Sequence, residues 1–208
     1  MPDFAREAEG SRTAKVALRN QLLTARKGLP EAVRRSAAAS VQATTVAWVR
    51  NEKPTRCAAY VPVGAEPGGP GLVDALAAVT RLLLPVLLPD GDLDWAEYDG
   101  ALRRTARGLL EPTGPVLGPS AVAGVDLMIV PALAVSRSGL RLGRGGGSYD
   151  RALARATTAY KVALLHDGEL LDDVPAEPHD RPVDAVITPS DGLTTLPRTP
   201  PSGRNKLR

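Results

Sequence analysis

The chain has 208 residues, enough for one well-buried α/β domain and too few for two of ordinary size. With 43% hydrophobic and 24% charged residues it has the composition of a globular protein, while 3% aromatic content leaves the core to Ala, Val and Leu and argues against broad aromatic recognition surfaces. The net charge of +3 is unevenly placed: residues 1–56 hold 11 Lys/Arg against 5 Asp/Glu and the remainder 15 against 18, a bias that suits a small anionic ligand better than a polynucleotide.

The opening "MPDFAREAEG" carries acidic residues where a signal peptide needs a basic and then an apolar run, and no apolar stretch later reaches the roughly 18 residues of a membrane span. Residues 12–28 place Ala14, Leu18, Leu22 and Ala25 at spacings of three and four, which predicts a first helix stopped by Gly28. Pro30 opens a second helix with Val33, Ala37, Val41, Thr44 and Trp48 on one face. "TRCAAYVPV" is then a strand ending near Pro62, and its Cys57, the single cysteine, is expected as a buried thiol in a cytoplasmic protein. After the loop 64–71, "LVDALAAVTRL" is expected to be helical and "LLPVLLP" a strand, its Pro85 marking an edge or a bulge. From Asp90 to Ser120 the chain reads as irregular, with Glu111 boxed in by turn formers.

"VDLMIVPALAV", residues 125–135, has the composition of a buried strand, and a helix is expected from about Tyr149 to Ala156. "KVALLH" and "DAVITP" are two further short strands, joined by a proline-rich connection that bears Asp180. Alternating strands and helices imply an α/β fold with a mostly parallel sheet covered on both faces. One domain is expected over residues 1–190, and a disordered tail over 191–208.

The chemistry concentrates in "RLGRGGGSYDRAL", residues 141–153. Neither common nucleotide motif fits: after Gly143 and Gly145 the dinucleotide fingerprint would require a third glycine or alanine at Ser148, and no Gly-Lys-Ser/Thr follows. Backbone N–H groups free of Cβ obstruction, placed before a helix N-terminus, can nonetheless wrap an oxyanion, with Arg141 and Arg144 adding charge-assisted bonds. An unadorned glycine turn is the alternative. A carboxylate beside such a cradle, Asp150, calls for a Mg²⁺ ion between it and the phosphates, with Asp180 as the second carboxylate; otherwise Asp150 caps the helix and Asp180 pairs locally. Lys15, Arg19 and Arg26 fall within about 40° of one another on the first helix, either as a solvated basic face or as a second clamp on a polyphosphate.

In this order these pieces resemble the 5-formyltetrahydrofolate cyclo-ligase family. The resemblance rests on Lys15, Arg19 and Arg26 in the opening helix, on "YVPVGAEP", on Glu111–Pro112, on "DLMIVPALAVSRSGLRLGRGGGSYDRAL", and on His179–Asp180. It implies a three-layer α/β/α sandwich with a mainly parallel sheet, and an enzyme that uses ATP and Mg²⁺ to close 5-formyltetrahydrofolate to 5,10-methenyltetrahydrofolate. Carried over residue by residue, Lys15, Arg19 and the run Arg141, Leu142, Gly143, Arg144, Gly145, Gly146, Gly147, Ser148 and Tyr149 would bind ATP. Val61 and Glu66, with residues 144–148 of the same run, would bind the folate; Arg144 and Tyr149 would be catalytic; Asp150 and Asp180 would hold Mg²⁺. The implied partners are small molecules alone, with no nucleic acid or membrane, and a monomer is expected. Ser148 and Arg107 stand where the family usually has aromatic residues, and Glu169 where glutamine is common. A non-catalytic nucleotide- or sugar-phosphate-binding domain on a related scaffold is the rival reading, and a dinucleotide-dependent oxidoreductase is a third.

Overall fold

The computed structural model describes residues 3–177 and 180–197, with side chains from residue 9 onward. Helices α1 (Asp3–Gly28) and α2 (Glu31–Glu52) open the chain, α1 starting well before the expected position. Strand β1 (Arg56–Ala58) follows, then α3 (Leu72–Ala77), β2 (Arg81–Leu87) and β3 (Leu93–Glu97). Helix α3 stops five residues short of its expected end, because Arg81 and Leu82 belong to the strand paired with β1. The stretch expected to be irregular contains β3, a hairpin of β4 (Leu102–Arg104) and β5 (Leu110–Pro112), and a 3₁₀ helix at Pro119–Gly124.

The second half supplies β6 (Leu127–Pro131), the short strands β7 (Ala134–Ser136) and β8 (Arg141–Leu142), helix α4 (Ser148–Arg155), β9 (Tyr160–Leu164), β10 (Leu170–Leu171), β11 (Ala185–Thr188) and β12 (Gly192–Thr195). The main sheet has seven strands in the order β12-β11-β9-β6-β1-β2-β3, parallel except at its two edges. Strand β12 corrects the expected tail: Gly192–Thr195 lies antiparallel on β11, where ladder hydrogen bonds at a sheet edge hold a segment with no apolar periodicity. The rest of that tail, residues 198–208, and His179 lie outside the described residues.

Strand alternation divides the core into two faces. Cys57, Leu82, Leu84, Leu127, Ile129, Val162 and Leu164 pack with Val41 and Val49 of α2 and with Leu72 and Leu76 of α3. Ala58, Leu83, Met128, Val130 and Ala163 face the opposite way, onto Ala152 and Leu153 of α4 and Val122 of the 3₁₀ helix. Helices on both faces of a largely parallel sheet make the expected three-layer α/β/α sandwich in one domain. Cys57 is fully buried, and burial pushes its thiol far above the ordinary range, so it is inert packing. Helix α1 stands apart and packs Leu22 on Leu133, Ala134 and Leu142 of the small β10-β7-β8 sheet.

Pro85 is neither at an edge strand nor at a bulge. It pairs with Trp95 of β3, while β1 on the other side reaches only as far as Leu83, so the missing N–H falls where β1 has already ended. That shortfall opens the carboxyl end of the sheet between β1 and β2. The chain winds from β1 outward through β2 in one direction and through β6, β9 and β11 in the other, so β1 and β6 form the switch point at which open α/β sheets place their ligands.

Candidate functional site

The site grows from the end of β6. After Pro131 the chain turns through the β7–β8 hairpin and enters the glycine loop, which delivers it to α4. Gly145 and Gly147 adopt φ of +97° and +69°, a region that side chains with a Cβ rarely enter. At Gly143 the obstacle is a neighbour: a Cβ there would lie 2.5 Å from a terminal nitrogen of Arg141. Gly147 is the N-cap of α4 and no side chain caps it, so the first N–H groups of the helix remain available to an anion.

One cavity of about 300 Å³ lies between α1 and the loop, lined by Lys15, Arg19, Arg141, Gly143, Gly145, Gly147, Asp150 and Asp180. Arg19 Nε donates to the carbonyl of Gly143 at 2.9 Å, tying helix to loop. Lys15 is only 4% exposed; its Nζ lies 2.7 Å from Asp180 Oδ2 and 2.8 Å from Glu177 Oε2. Arg141, also buried, donates to Asp150 Oδ1 at 2.7 Å and to the carbonyl of Pro131 at 3.1 Å. Asp150 is therefore held by Arg141 across the loop, and no side-chain cap bond is found at the start of α4. Glu177 has no counterpart in the sequence reading; the signal was its position three residues before Asp180, whose carboxylate accepts its backbone N–H at 2.7 Å.

A second cavity of about 290 Å³ lies on the other side of the loop, at the switch point. Its walls are mostly apolar: Val61 and Val63 beyond β1, Pro85 and Leu87 of β2, Leu110 of β5, and Pro131 and Ala132 after β6. Tyr60 and Tyr149 line it too, and burial first, then the charge of Glu66, drives both phenols well above their ordinary range, so each remains a protonated donor. Glu66 receives Arg144 Nε at 3.1 Å on one oxygen and the Val63 N–H at 2.9 Å on the other. Arg141, Gly143, Gly145, Gly147 and Asp150 border both cavities, so a single backbone segment is the wall between them.

The structure thus brings Lys15, Arg19, Asp150 and Asp180 to one side of the loop and Val61, Glu66, Arg144 and Tyr149 to the other. Leu142 borders the charged cavity, although its side chain is buried with Leu22, Leu133 and Val174. Ser148 Oγ donates to the carbonyl of Gly91 and anchors α4 to the β2–β3 turn, while Arg107 is exposed in the β4–β5 turn.

Arg26 does not join the polyphosphate clamp. Eleven residues along α1 amount to about 16 Å of rise, so sharing an angular face with Lys15 does not bring the two to one site. Arg26 instead makes a two-pronged bond to Glu169, both contacts at 2.7 Å, with another to the Ala132 carbonyl, all buried. The same Glu169 accepts the His166 N–H, so the residue that departs from the usual glutamine fixes a buried turn and a buried cation at once.

Among the described residues no three His, Cys, Asp or Glu side chains converge as a metal site. Mg²⁺ that travels with nucleotide phosphates needs only one or two carboxylates, and Asp150 and Asp180, hard oxygen donors bordering one cavity, fit that donor set. No helix among the described residues is long and apolar enough to cross a membrane.

Comparison with known proteins gives the family of the chain. A model of the 5-formyltetrahydrofolate cyclo-ligase family matches residues 11–189. The chain is 44% identical over 194 residues to a 5-formyltetrahydrofolate cyclo-ligase of Mycolicibacterium smegmatis, covering 88% of this chain and 97% of the relative. To that of Escherichia coli it is 37% identical over 117 residues, covering 53% of this chain and 64% of the relative. Among solved structures, the Aquifex aeolicus 5,10-methenyltetrahydrofolate synthetase superposes with a TM-score of 0.76 at 26% identity, covering 92% and 97% of the two chains. The Mycoplasma pneumoniae 5,10-methenyltetrahydrofolate synthetase superposes with a TM-score of 0.66 at 21% identity, over 83% and 96%, a likeness of fold. The chain belongs to the 5-formyltetrahydrofolate cyclo-ligase family.

Proposed function

We propose that this protein uses ATP and Mg²⁺ to close 5-formyltetrahydrofolate into 5,10-methenyltetrahydrofolate, releasing ADP and phosphate. The observation that carries the proposal is the glycine loop standing as a common wall between a charged cavity and an apolar one. An intermolecular phosphoryl transfer needs such a partition: phosphates gripped on one side, an apolar ring system held on the other, and little but backbone between them. A regulatory domain that only senses a nucleotide has no use for the apolar cavity.

The formamide oxygen is a poor leaving group until it is phosphorylated. The formyl oxygen takes the γ-phosphoryl group as ADP leaves; N10 then attacks the formyl carbon, gives up its proton to solvent, and the C–O bond breaks with departure of phosphate. In this proposal Lys15 and Arg19 hold the phosphate chain against the loop and the open N-terminus of α4. Asp150 and Asp180 are the residues that would hold Mg²⁺, which supplies charge neutralisation on the transferring phosphoryl group. Glu66 meets the polar part of the folate and keeps Arg144 at the cavity mouth, 3.0 Å away, where the guanidinium can follow the charge on the formyl oxygen. Tyr149, neutral and buried beside Arg141, bounds the folate cavity and offers a hydrogen bond rather than a base. Small-molecule partners, a monomeric state and a cytoplasmic setting complete the reading. Purified protein given 5-formyltetrahydrofolate and MgATP should generate the absorbance of the methenyl product with stoichiometric ADP. MgATP-binding protein that leaves the folate unchanged overturns the proposal.

A further inference from the structure

Three carboxylates line the apolar cavity, and their surroundings differ: Asp150 is paired with Arg141. Both oxygens of Glu66 are engaged, one by Arg144 and one by the Val63 N–H. Glu111 of β5 is 6% exposed, and its Oε1 accepts the Leu87 N–H at 3.0 Å. Among the described residues Glu111 takes part in none of the ion pairs found, and the Leu87 N–H is the hydrogen bond it accepts. Arg103, directly opposite in the β4–β5 ladder, is exposed and forms no ion pair with it. A carboxylate set among Pro85, Leu87 and Leu110 without a cation is costly to bury unless a donor arrives from elsewhere.

An ionised carboxylate has about four lone-pair sites, of which Leu87 takes one. Glu111 lines a mostly apolar cavity of about 290 Å³. Proteins satisfy such a group with two adjacent N–H donors in a plane, the fork geometry that a carboxylate accepts best. The folate's 2-amino-4-oxopyrimidine ring carries that donor pair, its 2-amino group beside N3–H. It lies at the end of the bicycle remote from N5, so anchoring it on β5 leaves the N5-formyl group for the glycine loop.

We infer that Glu111 is the specificity residue for the folate, its carboxylate accepting the 2-amino and N3–H donors of the pyrimidine ring. The assignment rests on the proposed folate substrate and moves the ring's anchor from Glu66 to Glu111. Glu66 remains the partner of Arg144.

The test compares 5-formyltetrahydrofolate with its 2-desamino-2-methyl analogue in the wild type and in Glu111→Gln, following methenyl absorbance. The glutamine carbonyl still accepts from Leu87, so the cavity wall is kept. Losing a charge-assisted bond should raise KM for 5-formyltetrahydrofolate about tenfold to a hundredfold, with KM for ATP unchanged. The wild type should prefer the parent folate by a similar factor, and the variant should lose most of that preference. Should Glu111→Gln fail to fold, Glu111→Asp, which withdraws the charge by one methylene, should show the same KM rise. Full discrimination retained by either variant, or a wild type indifferent to the 2-amino group, overturns the assignment. A wild type that binds MgATP but cyclises neither compound overturns the folate reading itself.

Discussion

The two aspartates assigned to Mg²⁺ should separate in a measurement without nucleotide, because they are embedded differently. Asp150 is the charged partner of Arg141, a buried guanidinium whose Nε has no hydrogen-bond partner and whose other hydrogen bond goes to the Pro131 carbonyl. Asp150→Asn keeps an acceptor oxygen but removes the charge. Breaking a fully buried pair costs about 3–5 kcal/mol, but the Asp150 side chain is 20% exposed at the cavity edge, so a loss of about 1.5–2 kcal/mol is expected. Asp180 shares Lys15 with Glu177, which remains 2.8 Å from the ammonium when Asp180 becomes neutral, and asparagine still offers an acceptor to the Glu177 N–H, so Asp180→Asn should cost about 1 kcal/mol. Urea unfolding of the free protein gives both numbers. With MgATP at about 100 times its dissociation constant the wild type should gain roughly 2.7 kcal/mol, and both variants should lose most of that gain together with turnover. A reversed order in the free protein would refute the ion-pair reasoning. A full MgATP-dependent gain in Asp150→Asn would refute its metal role.

Arg19→Ala removes the tie to the Gly143 carbonyl as well as a cation, and should weaken MgATP binding by about 1.5–3 kcal/mol in calorimetry with little change in the unfolding midpoint. Arg26→Met strands Glu169 in the core and should lower stability by about 3–5 kcal/mol, as read by denaturant titration, while the protein that remains folded binds MgATP normally. The hydrogen bond from Arg155 is the largest cause holding the Asp92 carboxyl down at about 2, below its unfolded value, so its contribution is present at neutral pH and lost as pH falls from about 4 toward 2. Asp92→Asn should therefore cost about 1–2 kcal/mol at pH 7, with the gap from wild type closing across that acidic window.

How much of this was legible in the sequence depends on how local each cause is. The loop and α4 were legible because glycines, an N-terminal aspartate and an apolar helix face lie within fifteen residues. The apparent strand at residues 125–135 was legible as buried, but it divides at Pro131 into β6 and β7, and the break delivers the loop to the cavity. Strands β3, β4 and β5 were missed because each spans only three to five residues and is bounded by turns, so no periodicity accumulates. Arg26 was misplaced by angular reasoning that ignored rise along the helix, and its partner Glu169 lies 143 positions away.

The same distinction explains why the sequence marked the residues of the charged cavity more completely than those of the apolar one. Phosphate recognition draws on features written locally: consecutive glycines, a helix N-terminus, and lysine and arginine four residues apart on one helix. The apolar cavity has no such signature, since it is the space left where β1 stops at Ala58 while β2 runs on to Leu87. Its polar contacts follow from that gap. Leu87 has an N–H facing a strand that is no longer there, and Glu111, which lines the cavity, accepts it from a hairpin 24 residues away. A mismatch in strand length thus both opens the cavity and recruits the carboxylate that lines it. On the register of β1 with β2, Leu87 falls opposite Pro62, so β1 would have to run four positions beyond Ala58 to close the cavity and release Glu111 together.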